Sequence, residues 1–241
     1  RGSIVGQQRA RTALRVESHE RGAVYPVGRD GVNDRIREPK KWPFRFGIFA
    51  CLQFVVVTIV AMVIYPGGTM VEPSSRGYSF FRSFFSELGM TVTSGGRPNL
   101  PSAILFIIAL TVAGAGLIVF YLATPRFFQQ PRLARVLSVV GSILGVVSGG
   151  AYIGIAWTPA NLFEEAHTHF VLLAFRSFLV VVVCYAVAIF VNKAYPNGYG
   201  VVYVLFALLL AGYIWLLTQG PGLETERGIV IQATGQKMIV Y

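Results

Sequence analysis

Five stretches of roughly twenty residues, nearly free of charge, constrain this chain more than any other feature. The first, FGIFACLQFVVVTIVAMVIY at 46–65, has no ionisable side chain of the Asp, Glu, Lys or Arg type. At about 1.5 Å per helical residue such a run spans a hydrocarbon core of roughly 30 Å, and its backbone groups are satisfied only if it is helical. The others lie at 102–124, 136–157, 170–192 and 199–218, each closed by proline, glycine or charge. The segment from 228, GIVIQATGQKMIVY, turns apolar again and is read as the start of a sixth span. The expected fold class is therefore all-α, a polytopic transmembrane helical bundle occupying 45–241.

Composition agrees with this and excludes other classes. Of 241 residues, 54% are hydrophobic and only 13% charged, which argues against a disordered chain or an ordinary water-soluble domain. The net charge of +10 could suggest nucleic acid as a partner, but ten of the 21 Lys and Arg residues lie in 1–44 and others flank the apolar runs. That is the distribution membrane topology uses, so no nucleic acid is expected and membrane lipids are the expected surroundings. Cys51 and Cys184 sit inside apolar runs without CxxC or Cys/His spacing, so neither a disulfide scaffold nor a zinc finger is indicated.

Residues 1–44 mix ten basic with five acidic residues and lack apolar periodicity, as expected of a polar tail without fixed structure. Two origins stand for it: sequence translated upstream of the natural start, or a genuine tail. Basic residues fix the expected orientation. Nine lie on one side, at 35–45, in the second-to-third connection (Arg126, Arg132, Arg135) and at Lys193; the other side has Arg76, Arg82, Arg97 and Arg227. The N-terminal side is thus expected in the cytoplasm, with the plasma membrane as the location.

Several residues could carry function. The third span has Ser138, Gly141, Ser142, Gly145, Ser148 and Gly149 at steps of three and four, a stripe along which another helix could approach closely. Gly141, Gly145 and Gly149 are therefore expected in helix packing, with Ala113, Gly114 and Gly116 of the second span opposite. The connection at 66–101 contains YSFFRSFFSELG, whose Phe80, Phe81, Phe84, Phe85 and Leu88 would share one face of a short amphipathic helix stopped at Gly89.

The third-to-fourth connection, TPANLFEEAHTHF, gathers Asn161, Glu164, Glu165, His167 and His169. His167, His169 and Glu164 are the weak metal candidates. On a continuous helix the two histidines would point about 200° apart and could not share an ion, whereas a loop would allow it. Arg176 lies inside an otherwise apolar span and shares a helical face with Glu165 and His169. An outer polar cavity lined by Glu87, Glu165, His169, Arg176, Gln236 and Lys237 is expected, with an ion-pair cluster of purely structural role as the plain alternative. No Walker loop, HExxH, GxSxG or CxxCH motif is present, so no catalytic residue is assigned and no cofactor is expected.

SFFSELG at 83–89, RPN at 97–99, Ser102 with Phe106, the glycine-rich third span and TPANL with a downstream histidine together resemble the multi-pass family called domain of unknown function 998. More distantly, they are similar to the Frag1/DRAM/Sfk1-type membrane proteins. The resemblance implies a six-helix bundle and no established reaction. Where such families have an Asn before the SELG-like element and an Asp after the third helix, this chain has Arg82 and Asn161. The functional expectation is a membrane protein that binds a lipid or small solute in the outer cavity or organises membrane components. The rivals are a small anion or solute transporter and a metal-dependent lipid hydrolase.

Overall fold

The computed structural model describes residues 41–240; the polar segment read as a tail falls almost wholly outside them. All regular elements there are helical: α1 Trp42–Ile64, α2 Phe85–Leu88, α3 Leu100–Ala123, α4 Arg132–Trp157, α5 Glu164–Val191, α6 Asn197–Gln219 and α7 Glu226–Val240, with a 3-10 turn at Thr124–Phe127. Five of them, α1 and α3 to α6, are long and apolar enough to cross a membrane. The chain is an all-α polytopic helical bundle.

Prolines set several starts. Pro43 and Pro101 occupy the first turns of α1 and α3, where a missing N–H costs nothing, and Pro131 stands just before α4. Two elements differ from expectation. α5 begins at Glu164 rather than near 170, because Glu164 and Glu165 fall in its first turn, where acidic side chains favour the helix dipole. The amphipathic helix expected around 80–88 shrinks to the single turn α2. Phe84 is extended and Tyr78 donates from its hydroxyl to the carbonyls of Ser83 and Phe84, so Phe80 and Phe81 stay outside the helix and exposed.

Consecutive long helices pack as neighbours, α1 on α3, α3 on α4, α4 on α5 and α5 on α6, while α1 and α6 make no contact among the described residues. The bundle is therefore open along one side. The connection 65–99 and the α4–α5 and α6–α7 connections lie at one end, called the capped end below. Gly68 has φ of 89°, and a Cβ there would stand 2.7 Å from the backbone N of Gly95, so only glycine lets these loop strands approach.

A tight seam joins α3 to α4. A Cβ on Gly114 would stand 2.5 Å from the Gly149 carbonyl oxygen, and one on Gly149 would stand 2.7 Å from that of Gly114. Gly145 faces the Tyr121 ring, and Gly141 faces Tyr185 and Cys184 of α5. Hydroxyls complete the α4–α5 side: Ser142 meets Tyr185 Oη at 2.7 Å, and Ser148 donates to the Ala174 carbonyl at 3.0 Å. Small residues bring the backbones close, and the hydroxyls of Ser142 and Ser148 find partners that lipid would not supply. Large apolar side chains such as Val63, Leu122, Leu208 and Trp215 cover the outside, as the hydrocarbon surroundings require.

Candidate functional site at the capped end

The loop 65–99 is held by hydrogen bonds that use the residues singled out in its sequence. Arg97 donates to the carbonyls of Pro66 at 2.7 Å, Ser75 at 2.9 Å and Ser74 at 3.3 Å. Asn99 donates from Nδ2 to the carbonyls of Met90 at 2.8 Å and Leu88 at 3.2 Å, and Ser102 adds a second bond to Leu88. These satisfy the carbonyls that a one-turn helix leaves free at its C-terminal end. Gly89 is needed for a reason other than stopping a helix: its φ is −85°, and a Cβ there would lie 2.5 Å from the Phe106 ring.

Glu87 lies inside this cap, 1% exposed. Its Oε1 accepts the Phe84 N–H at 2.9 Å, closing the first turn of α2, whereas Oε2 has no hydrogen-bond partner. Burial pushes the carboxyl from its ordinary 4.5 up to about 7; the Phe84 N–H, the Lys237 ammonium and the nearby Ser83 hydroxyl pull it down without overcoming that effect. Ser83 Oγ, though close enough to act on the carboxyl, makes no hydrogen bond of ordinary geometry.

α7 approaches from the far end of the sequence. Gln236 accepts the Phe85 N–H on Oε1 at 2.7 Å. Lys237, 3% exposed, donates from Nζ to the Ser83 carbonyl and sits over the rings of Phe85, Tyr78 and Phe80, at 4.4, 5.4 and 5.6 Å from their centroids. Such a cage stabilises a desolvated ammonium through the ring quadrupoles. At the surface Arg82 pairs with Glu226 and, at 3.9 Å, with Glu72.

The structure therefore brings Glu87, Gln236 and Lys237 together and leaves Glu165, His169 and Arg176 elsewhere. Glu165, His169 and Arg176 do share one face of α5, but it is the outward face, continued by the exposed Val180, Val183 and Val187. Arg176 makes no ion pair or side-chain hydrogen bond among the described residues, which corrects the expectation that it points into the bundle. The opposite face packs because it carries Ala174, Ser177, Val181 and Ala188, small or branched residues that fit the seam.

The metal candidates separate similarly. His167 turns inward with Nδ1 at 2.7 Å from the Thr158 carbonyl; His169 is exposed, with Nδ1 on the Glu165 carbonyl of its own helix. Glu164 is exposed. Because α5 is a continuous helix here, the two rings diverge as the helical period requires. Asn161 instead ties the connections together, accepting the Thr91 N–H at 3.1 Å and donating to Thr91 Oγ1 at 2.9 Å.

Beneath the cap the open side of the bundle forms a groove of about 710 Å³. Cys51 and Phe54 of α1, Phe175 of α5 and Leu210 of α6 are among its walls, and Ile239 and Val240 of α7 enter at the capped end. No Lys, Arg, Asp or Glu among the described residues lines it; Ser86, His167 and Gln236 supply polar groups near the cap. With Nδ1 of His167 donating to a carbonyl, the neutral ring keeps Nε2 as an acceptor.

Fold and site together define a class, the multi-pass α-helical integral membrane protein. No protein-family model, curated protein or solved structure matches the chain.

Proposed function

We propose that this protein is a non-catalytic membrane protein that holds the apolar chain of an uncharged or zwitterionic lipid in the groove between α1 and α6. The observation that carries this reading is the composition of the groove: predominantly apolar along its length and without a charged wall. Its volume lies within the roughly 300–1,000 Å³ of ligand pockets. An anion carrier fits less well, since Arg176, its intended anion site, faces away from the groove. Orientation with the N-terminal side cytoplasmic belongs to the same proposal and rests on the nine-to-four bias of basic residues. So does kinship with the domain of unknown function 998 family, supported by the way Ser83–Gly89, Asn99, Ser102 and Phe106 build one cap.

One observation favours a second occupant. Ile239 and Val240 already lie in the groove, so an apolar helix prolonging α7 would run along it. Photo-crosslinking in nanodiscs with a phosphatidylcholine carrying a diazirine in its acyl chain separates the two. The lipid reading predicts adducts concentrated at Cys51 and Phe54 over the outward Val63 and Leu122, and their loss in Cys51→Trp. Adducts on the outward faces alone, with the groove spared, would mean that a helix fills it.

A further inference from the structure

The cage around Lys237 has a consequence for Glu87. A buried ammonium ordinarily requires a carboxylate, yet here three rings and the Ser83 carbonyl hold it, and Glu87 forms no ion pair with it within 4.0 Å. Lys237 thus keeps partners when the carboxyl is neutral, while burial lowers its pKa to about 8 and the Glu87 charge raises it. Glu87 Oε2 is buried without a partner of ordinary geometry, and a polar group buried that way costs stability unless something satisfies it. The Ser83 hydroxyl offsets that cost only in part, and a proton on Oε2 removes the buried charge itself.

The other groups facing Glu87 are few. α7 contributes Lys237, with Glu226 and Arg227 a distance away at its start; Tyr65, just after α1, feels the Glu87 charge; α3 brings Ser102 and no Asp, Glu, Lys or Arg. Arg82, the nearest arginine in the loop, is occupied at the surface by Glu226 and Glu72.

We propose that Glu87 is the proton-binding site of a latch that fastens α7 to the loop 65–99. Taking a proton from solvent onto Oε2 closes the latch, because the buried carboxyl is then neutral. Losing it to solvent leaves a buried carboxylate that gains hydration when α7 and the loop part. The direction follows from linkage: a carboxyl at 4.5 when hydrated and at about 7 when closed in favours the closed form in acid, by a ratio that falls up to about 300-fold as pH rises through that interval. Gln236 and Val240 lie on the same helix and line the groove, so opening would also alter its entrance; that consequence rests on the lipid reading, whereas the latch itself does not.

The test is electron spin distance measurement on the chain in nanodiscs, with nitroxides at the exposed Ser74 and Met238 in a Cys51→Ser, Cys184→Ala background. Between about pH 5 and about pH 8.5 a single short distance should give way to a broader, longer population. Glu87→Gln, which stays neutral, should keep the short distance throughout. Lys237→Met, which fills the cage without charge and removes a cation that lowers the carboxyl, should move the transition to higher pH. A distribution that does not change with pH, or one that changes equally in Glu87→Gln, overturns the latch. A transition unmoved in Lys237→Met removes Lys237 from it. Lipid crosslinking at Cys51 is read separately, so failure of the groove reading leaves the distance result intact.

Discussion

Gly149 and Gly150 are adjacent in α4 and should respond oppositely to the same methyl group. A Cβ at Gly149 meets the Gly114 carbonyl oxygen at 2.7 Å and Ile118 Cγ1 at 2.8 Å, well inside ordinary contact, and the first obstacle is backbone that moves only if the whole helix moves. A Cβ at Gly150 meets nothing within 4 Å. Both substitutions to Ala carry the same helix-propensity gain of up to about 1 kcal/mol, so comparing them removes it. What remains is overpacking of the α3–α4 seam, about 1–3 kcal/mol against Gly149→Ala. That corresponds to a loss of roughly five- to 150-fold in the folded-to-unfolded ratio relative to Gly150→Ala. Reversible unfolding in mixed micelles, or steric trapping in bicelles, reads the difference directly. Equal stability within about 0.5 kcal/mol would refute the close approach of these backbones.

Other perturbations probe the remaining features. Arg176→Leu should leave stability unchanged or raise it in a melting assay, because the side chain faces outward without a partner; a loss above about 1 kcal/mol would return Arg176 to an interior role. Glu87 has a raised pKa in the folded protein, so its contribution is fully present below 4.5 and is lost as pH rises through about 7, by up to about 3 kcal/mol. Melting followed across that range should show the decline, and Glu87→Gln should flatten it. Tyr185→Phe removes the partner of Ser142 and a donor to the Ser138 carbonyl, and should cost about 1–2 kcal/mol in the same assay.

Much of this architecture was readable from sequence because lipid allows only one solution to twenty apolar residues in a row. The stripe through Gly141, Gly145 and Gly149 was readable for a related reason: small residues spaced at three and four leave a flat surface. Faces were harder to assign. Glu165, His169 and Arg176 were correctly placed on one side of a helix, but spacing alone does not say whether that side meets protein or lipid. The smaller residues Ala174, Ser177 and Ala188 were the available clue. The start of α5 was set too late because His167 and Glu164 look like loop residues when polarity is read without the helix dipole. The pairing of Ser83 and Tyr78 with Lys237 was not legible since they act through a carbonyl and a ring face, 154 residues away in the case of Ser83, and no local pattern records such a pairing.

The cap and the groove both require connections that alternate across the membrane, and substituted-cysteine labelling in sealed, oriented vesicles tests that alternation most directly. Single cysteines at Gln130 and Lys193 should react from one face only, the cytoplasmic one if the basic residues set the orientation. Cysteines at Leu162 and Glu224 should react only from the other. Gln130 and Leu162 reacting from the same face would contradict the five-span bundle, and with it the common end at which Glu87 and Lys237 meet.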